Sequence, residues 1–597
     1  MTLSPVPDLK TRGQLALVAL AVWGIACASL LAAHHSHLSH ALGDPDDALR
    51  LSMVRDLAAG QGWFDQRLVR LQPPLGLFMH WSRLIDGGEA ALLQLFGLVL
   101  PPDQAEMAMR VTWPLLWLAP AVSAVLLVAR RLGGGRAVFL SAVSIALSVG
   151  MSGQFTPGRI DHHNVQIACC LMAFAAAVQA PSLAMAIACA AASALGLAIG
   201  LEALPFHAAI GVALGLAWVF GGLRGRVLAA YGAALAVAAV GLLAVQTPPS
   251  RWLIPSCDAL SVNLAAGLAV AGLALAACAR FGQGLRLYGR LALLGVSGLA
   301  AGAVYLGLDP ICVHGPMAQV DPELRRVWLS HVREMTPWAR MLASDPGSAF
   351  AFAAPVISGV ASWIWLGRRP QMRVRFAWLL AGLLMAISVA MTLEAIRAAE
   401  YAVWLSAPLI GAAVADVGEG SLVSRMIPAA VLMIAINVLP PWLIGVKQEP
   451  NNAVALNGAK AAARPNGVDP CVDPSSFQPL NRLPAGLVLS EVDAGSYVLA
   501  STADSALQAP YHRMTWGLTQ ARAVLGAPPA QALARVRALN IAYVVNCSGH
   551  AKQADRTSLA PGALQHDLDS GQAPAWLQPV SAAGAPLQIY QVRAVAR

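Results

Sequence analysis

The stretch RVRFAWLLAGLLMAISVAMTLE, residues 373–394, sets Arg373 and Arg375 ahead of a long apolar run that carries no charge before Glu394. A helix needs about 20 predominantly apolar residues to cross the hydrocarbon core of a bilayer, and this run has that length with its charges at the ends. It reads as a membrane span. Loops left in the cytoplasm carry an excess of Lys and Arg, so the arginine end is expected inside and the Glu394 end outside. Working outward with the same ruler, spans are predicted near 14–33, 107–130, 137–152, 164–180, 183–200, 204–221, 227–246, 259–279, 289–308, 348–366, 374–392, 400–416 and 426–446, thirteen in all.

Composition agrees. Of 597 residues, 57% are apolar and 12% are charged, the latter about half the charged share of an ordinary soluble domain. The formal charge of +9 raises the question of nucleic acid, but that partner calls for a basic face or stripe. Here Lys and Arg form short clusters between apolar runs, so no nucleic-acid partner is expected. Lys10 and Arg12 precede the first apolar run, and His34, His35, Ser36 and His37 follow it without a small-x-small cleavage site. A retained signal anchor is expected rather than a cleaved leader.

With the N-terminus in the cytoplasm, the inner loops receive Arg130, Arg131 and Arg136, then Arg224 and Arg226, then Arg280, Arg286 and Arg290, then Arg368, Arg369, Arg373 and Arg375. The parity holds throughout. An odd count places the first loop, about 34–106, the loop at about 309–347 and everything after about Val446 on the outside, the periplasm of a bacterial inner membrane. The expected division is a transmembrane domain, 1–446, and a C-terminal α/β domain, 447–597. In the latter, Gly486–Leu489, Ser496–Ala500 and Asn540–Val545 read as strands, and Trp516–Leu525 and Pro529–Leu539 as helices. Cys27, Cys169, Cys170, Cys189 and Cys278 fall in spans as apolar filling. Cys257, Cys312, Cys471 and Cys547 fall outside, where an oxidising compartment permits Cys471–Cys547 and Cys257–Cys312 bridges.

The chemistry-bearing residues lie in the outer loops. Gly43-Asp44-Pro45-Asp46-Asp47-Ala48 puts three carboxylates within four residues just beyond a span. They repel one another unless a cation intervenes, and a divalent ion suits hard carboxylate oxygens. The competing reading is a helix N-cap, for which Asp is favoured; one Asp can cap while another ligates. A second outer loop, Gly158-Arg159-Ile160-Asp161-His162-His163, directly precedes a span, and ionisable clusters at a membrane boundary are functional hypotheses by default. Its alternative is again a solvated cap.

Pro45-Asp46-Asp47-Ala48 followed by Arg55-Asp56-Leu57-Ala58-Ala59-Gly60 resembles the first external loop of oligosaccharyltransferase catalytic subunits, and Gly158 to His163 resembles that family's second Asp-containing motif. The chain is thereby identified with the glycosyltransferase C superfamily, whose members take sugar from a polyprenyl phosphate or pyrophosphate carrier. The resemblance implies Asp46 as the first-loop catalytic carboxylate, with Asp47 beside it. It implies a site for a divalent cation, Mg²⁺ or Mn²⁺, made of Asp46, Asp161 and His163. It asks for a Glu in the loop at about 309–347, where Glu334 is preferred to Glu323 because it lies nearer the next span. It also places Arg397 against the carrier phosphates, with Tyr401 and Arg159 as further carrier contacts. An interfacial Arg that snorkels to water is the plainer reading of Arg397, and Glu202, in Gly200-Leu201-Glu202-Ala203, is either a pathway residue or a helix cap.

One departure limits the resemblance. The Trp-Trp-Asp motif with which the family recognises an acceptor sequon is missing from the C-terminal part, which instead holds Ala509-Pro510-Tyr511-His512-Arg513. The acceptor is therefore left open among glycan, lipid and protein. A polytopic transporter or lipid flippase is the alternative from another class, and a catalytically inactive envelope-assembly subunit a third. Transporters, however, place ionisable groups near the midplane of broken helices, whereas here they sit at the outer ends. The topology is checked by fusion to a reporter active only in the periplasm: fusions at Gly88 and after Lys447 are expected to be active and one at Gly134 silent, and activity at Gly134 overturns the span count.

Overall fold

A computed structural model describes residues 12–35, 38, 42–147, 153–417, 471–548 and 559–593. The chain is a polytopic helical membrane protein with a C-terminal sheet domain. Its helices run α1 (Arg12–His34), α2 (Pro45–Ala58), α3 (Arg83–Gly97), α4 (Pro102–Leu147), α5 (His163–Val178), α6 (Leu183–Ile199), α7 (Leu204–Val219), α8 (Gly225–Gln246), α9 (Val262–Phe281) and α10 (Leu287–Leu308). The short α11 (Pro322–Val327) and α12 (Trp338–Ser344) follow, then α13 (Pro346–Leu366), α14 (Pro370–Arg373), α15 (Phe376–Glu394) and α16 (Ala399–Asp416). Every predicted span up to residue 416 falls on one of these helices; the last, 426–446, lies outside the described residues.

Among the described residues, 7 helices are long and apolar enough to cross a bilayer, and α5, α6, α7 and Phe352–Leu366 are shorter apolar helices. The span predicted at 107–130 and that at 137–152 as far as Leu147 are both carried by α4, which breaks at Gly133 and Gly134; residues 148–152 lie outside the described residues. Gly134 has φ 72°, a left-handed backbone that glycine adopts without a Cβ clash. Between apolar helices in lipid, small residues allow backbones to approach closely. A Cβ on Gly232 of α8 would lie 2.2 Å from the Gly272 carbonyl oxygen of α9. One on Gly411 of α16 would lie 2.0 Å from Ser141 Oγ of α4. Thus α16 sits deep in the bundle, buried from Tyr401 through Ala413, and its first turn is held at a fixed depth.

The C-terminal domain is a five-stranded sheet in the order β4-β3-β5-β7-β6, where β3 is Leu487–Leu489, β4 Ser505–Ala506, β5 Ile541–Cys547, β6 Leu577–Pro579 and β7 Leu587–Val592. Pairing is parallel for β3 with β4 and β5, and antiparallel for β5 with β7 and β7 with β6. The segments predicted as strands at Gly486–Leu489 and Asn540–Val545 coincide with β3 and β5. The predicted helices coincide with α18 (Thr515–Leu525) and α19 (Pro529–Ala538). The strand expected at Ser496–Ala500 is instead α17, Ala494–Ser501. Every residue from Ala494 to Ala500 is buried, so the run has no polar face and its periodicity cannot separate helix from strand.

Helix α17 packs on α2, which ties the C-terminal domain to the acidic first loop. That loop carries the small hairpin β1 (Arg67–Leu68) and β2 (Leu77–Phe78), and beside it the backbone joins the domain's edge strand. Gln72 N donates to Ala506 O at 2.8 Å and Ala506 N to Arg70 O at 2.9 Å. Ala48, Leu49, Met53, Leu71 and Trp81 of the loop share one apolar core with Tyr497, Tyr511 and Met514. The expected boundary at residue 446/447 lies outside the described residues. Both expected bridges are present, Cys257–Cys312 with Cα atoms 5.1 Å apart and Cys471–Cys547 at 5.7 Å. Mass mapping of protein alkylated under denaturing, non-reducing conditions is expected to recover these two cystines and five alkylated thiols, Cys27, Cys169, Cys170, Cys189 and Cys278; alkylation of Cys257 or Cys471 contradicts it.

Candidate active site

The acidic turn is built first by local capping. Asp44 is the N-cap of α2, its Oδ1 accepting from Asp46 N (3.0 Å) and Asp47 N (3.1 Å), while Asp47 Oδ2 accepts from Asp44 N at 3.0 Å. This is a capping box, with Pro45 at the first helical position, where its missing N–H is no loss. The helix-cap reading therefore holds for Asp44 and Asp47. The cap leaves the Asp46 carboxylate out of it.

Asp47 also joins the two loops. Its buried carboxylate accepts from Ile160 N (2.8 Å) and Asp161 N (2.9 Å) through Oδ1, and from Arg159 Nη1 (2.9 Å) through Oδ2. Arg159 pairs with Asp44 as well and donates to Gln154 Oε1 at 2.9 Å. Its guanidinium is thus taken up by the loop itself. Asp47 has both oxygens occupied by protein donors.

The second loop then points its remaining groups inward. Asp161 Oδ1 lies 2.5 Å from His162 Nδ1, and Oδ2 lies 3.2 Å from His163 Nε2. On its far side His163 Nδ1 is 3.2 Å from Glu202 Oε2, and Glu202 Oε1 is 2.8 Å from Arg397 Nη1. Gly200 allows the Glu202 turn to press onto α5, since a Cβ there would stand 2.7 Å from Gln166 Nε2. Arg397 precedes α16, and Tyr401 in that helix stacks on Phe206 at 4.9 Å with its hydroxyl buried and without a hydrogen-bond partner among the described residues. Glu400 accepts from Gln154 Nε2 at 3.0 Å.

Charge accumulates at this point. Burial, with the carboxylates of Asp161, Asp44 and Glu334 nearby, pushes Asp46 well above the usual carboxylate range, and His163 opposes the shift. Burial works against ionised Asp161 too, but His162, His163 and Arg50 overcome it and hold that group well below the range. Glu334 is raised by burial, with Asp44 and Glu202 adding to the effect and His163 and Arg397 opposing it. The loop at 309–347 thus delivers Glu334 to the cluster. Glu323 stays exposed and paired with Arg326 at 2.7 Å. So Asp46, Asp161, His163, Glu334 and Arg397 are brought within range of one another's charges, while Asp47 and Arg159 brace the loops.

Asp161 and the two histidines beside it also fit a divalent cation, a grouping that takes in His162 and does not include Asp46. Asp161 Oδ2 is buried and has no hydrogen-bond partner among the described residues, although His163 Nε2 is near it. Ligand atoms of Asp161, His162 and His163 lie within 4.8 Å of one another. Carboxylate oxygen with imidazole nitrogen is a donor set for divalent first-row ions.

Two layers were not legible beforehand. Under Asp161, Arg50 donates to Asp86 Oδ1 at 2.6 Å, lies 4.3 Å over the Trp81 ring and reaches within 3.9 Å of Asp161. Arg83 closes on Asp86 at 3.2 Å. The i, i+3 spacing of Arg83, Asp86 and Glu89 on one helix face was the available signal; Arg50, far off in sequence, gave none. Beside this, Asp258 accepts from His512 Nε2 (2.7 Å) and from Arg513 Nε (2.7 Å) and Nη2 (2.6 Å), while Tyr511 Oη donates to Pro45 O at 3.1 Å. The unexplained Tyr511-His512-Arg513 run is thus the seam between the C-terminal domain, the first loop and the loop after α8.

No family model matches the chain, and no curated protein does. Solved structures do. The Archaeoglobus fulgidus oligosaccharyltransferase tethered to an acceptor peptide containing the NVT sequon superposes with a TM-score of 0.66 at 14% identity, covering 96% of this chain and 74% of that one. The archaeal oligosaccharyltransferase AglB from Archaeoglobus fulgidus, in complex with an inhibitory peptide and a dolichol-phosphate, gives 0.64 at 14% identity, over 97% and 74% of the two chains. The Archaeoglobus fulgidus enzyme in complex with Zn and sulfate gives 0.58 at 13%, over 96% and 73%. The chain shares the fold of the Archaeoglobus fulgidus oligosaccharyltransferase.

Removing one member of a buried ion pair strands the other, at a cost of about 3–5 kcal/mol. Asp47→Ala leaves three backbone N–H groups, those of Asp44, Ile160 and Asp161, without their acceptor and removes one of the two carboxylates paired with Arg159, so a clear fall in the thermal midpoint of the detergent-solubilised protein is expected. Glu323→Ala, at an exposed pair, should leave the midpoint unchanged within error. Equal midpoints for the two variants contradict the brace.

Proposed function

We propose that the chain is an integral-membrane glycosyltransferase that moves a sugar or oligosaccharide from a polyprenyl phosphate or pyrophosphate carrier to an acceptor, on the periplasmic side of a bacterial inner membrane. The observation that carries this reading is the buried Asp161 Oδ2, without a hydrogen bond among the described residues and 3.2 Å from His163 Nε2, in a cluster where Asp46 and Glu334 lie within range of the Arg397 charge. A carrier whose chain lies in the bilayer beside the helices brings its head group to that depth. The complex of archaeal AglB with a dolichol-phosphate supports a lipid-linked donor, and the two cystines suit an oxidising compartment.

Asp46, Asp161 and His163 would hold a divalent cation, Mg²⁺ or Mn²⁺. When bound, the ion supplies Lewis-acid stabilisation of the charge that develops on a leaving phosphate. Arg397 places a fixed positive charge, and Tyr401 an unpartnered hydroxyl, toward the same phosphate, stabilising it by preorganised electrostatics. As the bond from the sugar's anomeric carbon to the phosphate oxygen breaks, a bond from that carbon to the acceptor heteroatom forms. The acceptor's proton passes to a carboxylate. Asp46 suits that role because its carboxylate stands outside the capping box, at the edge of the cluster of Asp161, Glu334 and His163. Glu334, on the opposite loop, orients the acceptor. Asp47 and Arg159 act by positioning, since their polar atoms are already engaged. The acceptor class, whether glycan, lipid or protein, is set by the first loop and the C-terminal domain, whose seam carries Tyr511-His512-Arg513 in place of an aromatic sequon-reading motif.

The test is release of free polyprenyl phosphate or pyrophosphate from a labelled lipid-linked sugar by the purified protein. Asp46→Asn, Asp161→Asn and His163→Ala are each expected to lower the rate at least about 100-fold, the order of losing a general base or its equivalent. Asp56→Asn, among Arg55, Arg70 and Arg83, should cost far less. Equal, mild losses for all four, or full activity in excess chelator, overturn the metal centre.

A further inference from the structure

Glu202 belongs to neither the acidic first loop nor the Asp-His-His loop. It lies on the turn between α6 and α7, yet it touches both halves of the charge cluster. Its Oε2 is 3.2 Å from His163 Nδ1 and its Oε1 2.8 Å from Arg397 Nη1. In a neutral imidazole, the nitrogen that carries the proton is chosen by the partner it finds. A carboxylate at Nδ1 selects the Nδ1–H form and leaves the Nε2 lone pair facing outward. Here that lone pair faces the Asp161 Oδ2 at 3.2 Å, and this oxygen has no hydrogen bond among the described residues. In the metal-free protein the two flanking carboxylates favour the imidazolium, whose Nε2 proton fills that gap; a cation that displaces this proton would leave the Nδ1–H contact to Glu202 in place.

Building on the metal-dependent reading above, we infer that Glu202 is a positioning residue with two charges in its care: one oxygen aims His163 at the cation and the other aims Arg397 at the carrier phosphate. Carboxylate–histidine–metal arrangements of this kind hold the ligand's tautomer and ring angle, and losing the outer carboxylate typically weakens metal binding by about 10–100-fold. The double contact has a further consequence. Glu202→Gln keeps one oxygen, able to accept from His163 Nδ1–H or from Arg397, and turns its NH₂ group toward the other, setting donor against donor. One of the two contacts must fail. Glu202→Asp keeps both oxygens on a shorter stem, and is the variant that retains the pairing chemistry.

The experiment uses the full-length protein in detergent and reads Mn²⁺ binding by electron paramagnetic resonance, with binding of a polyprenyl diphosphate measured separately without metal. Monodispersity and thermal midpoint certify that each variant is folded. Wild type is expected to bind one Mn²⁺ that Asp161→Asn and His163→Ala abolish. Glu202→Ala is expected to raise the Mn²⁺ dissociation constant by about 10–100-fold and to weaken lipid diphosphate binding as well. Glu202→Gln should lose most of one affinity or the other, and Glu202→Asp should recover part of both. Mn²⁺ and lipid affinities of folded Glu202→Ala equal to wild type overturn the role of Glu202 while leaving the metal centre standing. Loss of Mn²⁺ affinity alone removes the Arg397 half. Wild type that binds no Mn²⁺ overturns both readings, because His163 is then an imidazolium bridging two carboxylates.

Discussion

The Asp47 carboxylate is the constraint on which the rest of the site depends. A buried charge is tolerated only when it is paired and its lone pairs are satisfied. Asp47 meets that demand with donors from two loops more than a hundred residues apart: Asp44 N on its own turn, and Arg159, Ile160 N and Asp161 N on the other. Satisfying one carboxylate thus fixes the relation between the acidic turn and the Asp-His-His turn. Asp46 is carried on the first, Asp161 and His163 on the second. Their approach raises the local density of negative charge, which is what a cation would relieve.

Apolar packing sets the depth at which this happens. The helices meet through small residues, backbone against backbone at Gly232 and Gly272 and backbone against side chain at Gly411 and Ser141. Helix α16 is held in the middle, so the turn that precedes it presents Arg397 to the loop cluster rather than to solvent alone. From the other side, α17 and the sheet edge press on α2 and on residues 70–72. The acidic helix is therefore gripped between the bundle and the C-terminal domain, and the Asp258 contacts with His512 and Arg513 close the same seam.

A helix cap and a functional carboxylate are not alternatives here. Asp44 caps α2 and Asp47 completes the capping box, while the intervening Asp46 remains available. Local hydrogen bonding uses the first and last acid of the run, so the middle one is presented at the helix start, where the N-terminal dipole favours negative charge. The same logic runs through Glu202, whose two oxygens join a histidine to an arginine on a different helix.

Residue order alone determined the class of fold, because the bilayer demands long charge-poor runs and these are local in sequence. It also offered the capped acidic turn and the two short motifs, each readable within a dozen residues, and it permitted the two cystines without fixing which cysteines pair. It misread Ser496–Ala500, where burial on every side erased the period that distinguishes helix from strand. What only the tertiary structure decided is which charges meet: that Arg159 turns to Asp44 and Asp47, that Glu334 and not Glu323 reaches the cluster, that Arg50 lies beneath Asp161, and that Glu202 stands between His163 and Arg397. These contacts join residues tens to hundreds of positions apart. Their partners are chosen by the need of each buried charge for an opposite one at hydrogen-bonding distance, and that need is expressed only once the helices have packed.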